Sequence, residues 1–458
     1  MRSPNMAMTT PSSRTTTLVV VSASVGVAVG VRWSATIAAW TRRVAELVST
    51  LRLKKPETEE ASIAALIRPC VRALQPYRCA RDDYEEGVLL DANENAYGPA
   101  VPGVASEEGK KTAPSIHSEL NRYPDPTARA IKERFIQYRG HDFLTPEHVF
   151  VGVGSDEAID MLFRVFCEPK VHNVVVMPPT YGMYKVCAAA NDVGVLAAPL
   201  QPETFDVDVD GVLRTVQPHK TRLVFVTHPG NPTARRVSRS RILQLLDRLP
   251  ATCVLVVDEA YVDFCASDAS VTGLVATSPR LVVLHTLSKA FGLAGARVGT
   301  AIASPEIIGY LNNLKAPYNM NKLTAAVASE ALSADGIAVA RDLISRLVEQ
   351  REALAASLRK SPYVDKVYPS DTNFLLVKIA TQPPEKAKLL YKALADGGVV
   401  TRYRGDQLHC TGCLRVTVGT PDDNAALLAK LDELAPLVLG DSSVNGSSST
   451  QKKKNGTA

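Results

Sequence analysis

The chain has 458 residues, 46% hydrophobic and 22% charged, which is ordinary for a globular enzyme and long enough for a large domain plus a smaller one. Its net charge of +5 is unevenly placed: residues 1–55 carry +7 and the tail from Gly440 carries +2, leaving −4 on the body between them. A body without clustered cations excludes a nucleic-acid footprint. The eight cysteines (Cys70, Cys79, Cys167, Cys187, Cys253, Cys265, Cys410 and Cys413) lie mostly in apolar segments and fit free thiols in a reducing compartment.

Residues 1–60 are rich in Ser, Thr, Ala and Val and hold no acid before Glu46. The apolar run at 18–31 is shorter than the roughly 20 residues a spanning helix needs, and lengthening it to Trp40 buries Arg32. An Arg- and Ser-rich, acid-poor composition suits a transit peptide better than a membrane anchor, and an inert extension competes with both. Residues 54–60 read as a linker. Residues 441–458 read as a polar tail with no packing face.

Between these ends the pattern alternates. Short, continuous, β-branched runs at 149–153, 173–177, 223–227, 253–257 and 281–285 suit strands buried on both faces. Helical stretches, for example 128–138, 155–166 and 238–249, separate or flank them. Alternation of this kind predicts an α/β fold with a large, mainly parallel sheet flanked by helices. After about Tyr310 a helix at 342–358 is followed by strands at 374–377 and 414–418, which predicts a smaller α+β domain. The expected division is an extension at 1–60, an arm and the start of the small domain at 61–120, a large domain at 121–315, a small C-terminal domain at 316–440, and the tail.

The chemistry-bearing residues follow the predicted strands. Gly152-Val153-Gly154-Ser155-Asp156-Glu157 ends a strand and opens a helix, where backbone N–H groups cradle phosphate; Ser155 and Asp156 could instead be plain helix caps. In Pro178-Pro179-Thr180-Tyr181-Gly182-Met183-Tyr184, Tyr181 can stack on a planar ring or simply pack in a turn. In His228-Pro229-Gly230-Asn231-Pro232-Thr233 the Asn231 amide can donate to a ring oxygen. Val256-Val257-Asp258-Glu259-Ala260-Tyr261 offers a carboxylate for a protonated pyridine nitrogen and, in Tyr261, a hydroxyl for the ring's phenolic oxygen. With no matching His/Asp cluster, metal ligation by Asp258 and Glu259 is set aside. Lys289 stands beside Thr286 and Ser288, directly after the apolar run at 281–284, with Arg297 eight positions on. That arrangement suits a lysine forming a Schiff base with an aldehyde cofactor whose phosphate a cation holds. Cys410-Thr411-Gly412-Cys413 has redox or half-zinc spacing, but no second Cys/His pair accompanies it and no metal site is predicted. All the other features sit at strand carboxyl ends, where open α/β sheets place ligands, and jointly they describe a pyridoxal 5'-phosphate site.

With these motifs the chain resembles the fold type I, pyridoxal-phosphate-dependent aminotransferases from about Ile67 to Leu437. Within them it is similar to the histidinol-phosphate aminotransferase family. The segments that carry the closer likeness are Arg68-Pro69-Cys70-Val71-Arg72-Ala73-Leu74-Gln75-Pro76-Tyr77, Leu90-Asp91-Ala92-Asn93-Glu94-Asn95-Ala96-Tyr97-Gly98-Pro99, Asn121-Arg122-Tyr123-Pro124-Asp125 and Gly412-Cys413-Leu414-Arg415-Val416-Thr417-Val418-Gly419. The resemblance implies that Lys289 holds the cofactor and shuttles a proton, Asp258 pairs with the ring nitrogen, Tyr181 stacks on the ring, and Asn231 and Tyr261 bond its oxygen. It implies that Gly154, Ser155, Asp156, Ser288 and Arg297 form the phosphate cradle, with Tyr123 reaching in from the second subunit of a homodimer with shared sites. It implies that Arg402 and Arg415 bind the substrate's anionic group, with Tyr77 and Asn93 nearby, and that the substrates are histidinol phosphate and the 2-oxoglutarate/glutamate pair, used in histidine biosynthesis. No membrane partner is expected. A cytoplasmic location is expected, or a mitochondrial or plastid one if residues 1–60 act as a transit peptide. One departure stands out: Ala234 follows Asn-Pro-Thr where the family commonly has glycine, and a position needing φ > 0 would strain it.

Overall fold

The computed structural model describes Arg43 and residues 83, 84, 86–101, 121–266 and 268–440. Apart from Arg43, the expected extension, the linker, Tyr77 with its motif, and the polar tail lie outside the described residues. Everything below belongs to the unit that begins at Ile67.

The first strand, β1 (Val88–Leu89), precedes helix α1 (Arg129–Arg139). There follow β2 (Val149–Val153), α2 (Gly154–Phe166), β3 (Asn173–Val176), α3 (Met183–Ala190), β4 (Gly194–Ala197), α4 (Val209–Thr215), β5 (Thr221–Thr227), α5 (Arg239–Arg248), β6 (Val254–Asp258), β7 (Leu281–Thr286) and β8 (Val298–Ile302). Seven of these strands make one sheet in the order β2-β8-β7-β6-β5-β3-β4. All its neighbours pair in parallel except β8, which runs against both β2 and β7. The expected α/β sheet is therefore present, with an antiparallel strand that the sequence pattern did not announce. Alternate residues feed a core on each face. Val224, Val226, Leu255, Val257, Leu281 and Val283 join one cluster, and Leu223, Phe225, Val254, Val256, Val282 and Leu284 join the other. Burial on both faces is why these strands read as unbroken apolar runs.

The later chain forms α6 (Pro305–Leu314), α7 (Lys322–Ala331), α8 (Ala334–Leu358), β9 (Val364–Val367), β10 (Phe374–Ile379), α9 (Lys386–Asp396), β11 (Val399–Val400), β12 (Arg402–Tyr403), β13 (Cys413–Thr417) and α10 (Pro421–Leu439). Four strands pair antiparallel in the order β12-β13-β10-β9. Leu354, Leu358, Leu390, Leu394, Leu427 and Leu431, from α8, α9 and α10, cover a face of that sheet. A capping box closes α10, in which the Thr420 and Asp423 side chains serve each other's backbone N–H and Pro421 starts the first turn. Strand β1 pairs in parallel with β11, which anchors the start of the segment Asp91–Asn95 beside β13. Among the described residues no single helix is long and apolar enough to cross a membrane.

The junction that matters most for the site lies between β8 and the start of α2. Gly299 pairs with Gly152 on one side and Thr286 on the other. A Cβ on Gly299 would stand 2.1 Å from the Ser155 nitrogen and 2.2 Å from the Gly154 carbonyl carbon. Those are backbone atoms that cannot swing away. Gly299→Ala should therefore destabilise the fold by about 1–3 kcal/mol, the usual range for overpacking a close contact. Denaturant unfolding measures it, and an unchanged midpoint would show that the junction is looser than described.

Candidate active site

The first turn of α2 opens on a cavity lined by Ser155, Asp156, Ser288 and Arg297 among others. No side chain caps this helix, so Ser155 and Asp156 are not the plain caps that their types also suit. Gly154 has φ +72°, and a Cβ there would lie 2.6 Å from the Arg297 guanidinium. Only glycine lets that cation lie over the turn. The Gly154 N–H donates to the Arg297 carbonyl at 3.0 Å, and the Arg297 guanidinium pairs with Asp156 at 3.5 Å. An uncapped helix N-terminus beside an arginine is an anion site. The Asp156 carboxylate also accepts the Tyr181 hydroxyl at 3.0 Å. It aims Tyr181 and Arg297, and its backbone N–H is what it can offer an anion.

Lys289 follows β7 and enters the same cavity, where its Nζ donates to the Ala92 carbonyl at 2.9 Å. Burial, and then the neighbouring Arg415 charge, lower its pKa to about 8. Opposite it lies a polar relay. Arg415 on β13 donates to Asn231 Oδ1 at 2.8 Å and to the Asp91 carbonyl. That fixes Asn231 Nδ2 toward the Tyr261 hydroxyl at 3.4 Å, and Asn93 Nδ2 donates to the same hydroxyl at 2.9 Å. Two amide donors on one phenol oxygen leave its proton as the group directed elsewhere, so Tyr261 acts as a donor in the cavity. Asn93 takes the left-handed conformation, φ 54°. Its amide N–H bonds Thr417 Oγ1 at 3.0 Å and its carbonyl accepts Asn373 Nδ2 at 3.1 Å. Asn93 therefore serves the cavity by orienting Tyr261.

The Ala234 departure has a clear structural consequence. Its φ is +60° with the side chain fully buried, a conformation that costs a non-glycine residue roughly 1–2 kcal/mol. The loop is held regardless: the Asp371 N–H donates to the Ala234 carbonyl at 2.7 Å, and the Asp371 carboxylate pairs with Arg235 at 3.6 Å. Asn231 keeps its bonds to Tyr261 and Arg415.

The neighbouring acids at the end of β6 separate cleanly. Asp258, 3% exposed, faces the cavity; it accepts the Tyr184 hydroxyl at 2.7 Å and the Ala260 N–H at 3.1 Å. Burial pushes its pKa up to about 6. Glu259 turns the other way, fully buried, and accepts Ser270 Oγ at 2.7 Å and Arg139 at 3.2 Å. Arg139 also pairs with Asp263 at 3.3 Å, and Asp263 takes His285 Nε2 at 2.7 Å and the Tyr138 hydroxyl at 2.7 Å. These partners outweigh burial and hold Asp263 down at about 2. Glu259 is thus structural, and Asp258 alone of the pair can meet a ring nitrogen. Among the described residues no cluster of His, Cys, Asp or Glu could hold a metal.

Of the other expected residues, Gly154 shapes the turn, while Tyr181, Asn93 and Arg415 line the cavity. Arg402 sits opposite Arg415 in the β12–β13 register but is not in the cavity wall. Tyr123 lies away from it, 79% exposed and stacked on Tyr318 at 4.5 Å. Burial pushes the Cys410 and Cys413 thiols up to about 12, which leaves little thiolate for redox chemistry. Sequence reading gave no role to Thr227, Ala260, Thr286 or Ala294, all of which line the cavity, nor to Tyr184 behind it. Their types are common in turns and cores. The only available signal was position: Thr227 and Thr286 are the last residues of β5 and β7.

Residues 85–431 match the family Aminotransferase class I and II. The chain is 41% identical over 387 residues to a histidinol-phosphate aminotransferase of Candida maltosa, covering 81% of this chain and 97% of that protein. It is 41% identical over 384 residues to one of Saccharomyces cerevisiae (80% and 96% covered) and 40% identical over 369 residues to one of Cytophaga hutchinsonii (80% and 97%). A crystal structure of histidinol-phosphate aminotransferase from Sinorhizobium meliloti, in complex with pyridoxal-5'-phosphate, superposes with a TM-score of 0.71 at 22% identity, covering 80% of this chain and 97% of that one. Aspartate aminotransferase from Thermus thermophilus with maleate superposes at 0.68 and 20% identity, with 80% and 99% covered. At such identities the structures speak to the fold.

The division of labour between the acids is testable in the unliganded protein. Glu259→Gln should lose about 3 kcal/mol of stability, because it breaks a buried pair and leaves the buried Arg139 with Asp263 as its one carboxylate partner. Asp258→Asn should unfold at wild-type denaturant concentration or slightly above at pH 7. With its folded pKa raised from 3.8 to about 6, Asp258 costs stability as pH rises through that interval, and the full cost stands at pH 7. Equal effects of the two substitutions would contradict the assignment.

Proposed function

The chain belongs to the aminotransferase class I and II family, and from that premise we propose that it is a pyridoxal-phosphate-dependent histidinol-phosphate transaminase. It exchanges an amino group between L-histidinol phosphate with 2-oxoglutarate and the corresponding oxo phosphate with glutamate, a step of histidine biosynthesis. The observation that carries the reading is the single cavity that gathers Lys289, Asp258, Tyr261, the open start of α2 and the two arginines Arg297 and Arg415. Relatives of about 40% identity over four fifths of the chain supply the substrate.

The residues fit the cofactor. The uncapped turn at Gly154 with Arg297 and Ser288 would hold the phosphate, Tyr181 would lie against the ring, Asp258 would meet its nitrogen, and Tyr261 and Asn231 its oxygen. When bound, pyridoxal phosphate supplies an aldehyde that captures the amino group and a sink for the electrons left on the substrate carbon. The protein does the rest. Lys289, with its pKa near 8, is in appreciable part neutral at physiological pH, so its Nζ can attack, take a proton and return it. Tyr261, with its two amide donors, presents its hydroxyl proton in one direction. Arg415, 4% exposed and tied to Asn231, offers a planar fork that suits phosphate and carboxylate alike. One site can thereby accept both substrates in turn.

The proposal includes a homodimer with shared sites. Tyr123 is 79% exposed and is not part of its own chain's cavity wall, and it stands with Tyr318 and Leu323 around a concave surface patch. By the family resemblance its hydroxyl would reach the phosphate held by the partner chain.

Turnover decides the substrate. Purified protein given histidinol phosphate and 2-oxoglutarate should show kcat/KM at least about a hundredfold above that for histidinol, because losing the phosphate leaves a buried arginine without its anion. Equal turnover of phenylalanine would move the chain to another branch of the same family. Subunit mixing tests assembly. Lys289→Ala and Tyr123→Phe chains, each impaired alone, should regain activity in mixed dimers, where one site has both residues intact. No recovery after verified exchange, or a fully active monomer, would rule out shared sites.

A further inference from the structure

Beside Asp258 runs a file of hydroxyls, one of which, Thr227, also lines the cavity, and the site as described gives the file no task. The Tyr184 hydroxyl is 2.7 Å from Asp258 Oδ2 and 3.0 Å from Thr227 Oγ1, and Thr227 Oγ1 is 2.9 Å from Thr180 Oγ1. Thr227 and Asp258 are register neighbours at the ends of β5 and β6, and Thr180 follows β3. The file therefore crosses three strand ends. Tyr184 is fully buried, its ring stacked on Phe225 at 4.6 Å and set edge-on to Tyr181 at 5.7 Å.

We propose that Thr180, Thr227 and Tyr184 form a one-way hydrogen-bond chain that keeps Asp258 ionised and turned toward the cofactor's ring nitrogen, which makes all three positioning residues. The inference rests on the reading of this cavity as a pyridoxal phosphate site. Its direction follows from proton counting. An ionised carboxylate only accepts, so the one Tyr184 proton goes to Asp258. Thr227 must then donate to the Tyr184 oxygen, and Thr180 to Thr227. Hydrogen bonds that run in one sense strengthen one another, and the strongest falls on the carboxylate. Tyr184 itself stays a donor, because burial and the Asp258 charge push its ionisation well above the usual phenol range.

The chain has opposition to overcome. Burial, and the carboxylates of Asp156 on α2 and Glu259 just after β6, all favour the protonated form of Asp258. Both acids are partly neutralised, Asp156 by Arg297 and Glu259 by Arg139. Lys289, Arg297 and Arg415 line the same cavity, with Tyr261 beside them. Asp258 Oδ2 accepts the Tyr184 hydroxyl and Oδ1 accepts the Ala260 N–H, so of its two donors Tyr184 is the one that a side-chain substitution removes.

The test is the pH dependence of pyridoxal phosphate binding to the apoprotein, read by visible absorbance, in wild type, Tyr184→Phe and Thr227→Val. Binding should weaken in wild type as pH falls through the Asp258 pKa near 6, because a protonated carboxyl must then give up its proton. Removing a donor from a carboxylate raises its pKa. Tyr184→Phe, which keeps the ring packing, should therefore move the midpoint upward by about one pH unit. Thr227→Val should move it by less, in the same direction. Affinity above pH 8 should stay within about threefold of wild type, as the charged form is then restored. A midpoint that stays in place in both variants, or an equal loss of affinity at every pH, would overturn the chain and leave Tyr184 a packing residue. Failure of the wild-type protein to bind pyridoxal phosphate at all would instead overturn the parent reading.

Discussion

Burying a carboxylate costs several kcal/mol unless cations or donors compensate it, and this chain places three inside the fold within six positions: Asp258, Glu259 and Asp263. Much of the site's order follows from how each is answered. Glu259 and Asp263 share Arg139, with Ser270, Tyr138 and His285 filling the remaining contacts. That cluster ties α1 to the loop after β6 and to β7. Among the described residues Asp258 is left with two donors and no ion pair. A buried acid in that state is matched to a cationic ligand, which is what a protonated pyridine ring would bring.

The same economy of charge runs through the cavity. Arg297 and Asp156 pair at the start of α2, so the arginine is held over the turn before any phosphate arrives. Arg415 is tied to Asn231 and the Asp91 carbonyl. Lys289, between these two cations, is pushed toward its neutral form. Glycine permits the close approaches: Gly154 under the Arg297 guanidinium, and Gly299 against the backbone of the first turn. Preorganised groups of this kind need little rearrangement when a ligand enters.

The central strands were legible because both faces are buried, so each run is apolar without interruption; 149–153 and 281–285 were read nearly to their true ends. Strand β8 was not, because Val298-Gly299-Thr300-Ala301-Ile302 has a glycine at its second position and reads as part of a turn after Arg297. Its glycine is demanded by the neighbouring helix, a tertiary contact that no local pattern carries. Lys289, Asp258, Asn231 and Arg297 were legible because strand ends in such sheets converge. Tyr184 was quoted within its motif yet given no task, since its partner lies 74 residues on. Glu259 and Asp258 could not be told apart by spacing, because adjacent residues at a strand end point to opposite sides and only the structure shows which side holds Arg139. Arg402 was grouped with Arg415 by resemblance, whereas β12 leaves it outside the cavity wall.

The central claim is that Lys289 is the point of covalent attachment in a cavity built for pyridoxal phosphate. Reducing the holoprotein with borohydride and mapping its peptides by mass tests this most directly. The account predicts one pyridoxyl-modified lysine, in the peptide containing Ser288-Lys289-Ala290, and no such adduct in Lys289→Ala. An adduct on another lysine, with Lys289 unmodified, would contradict it.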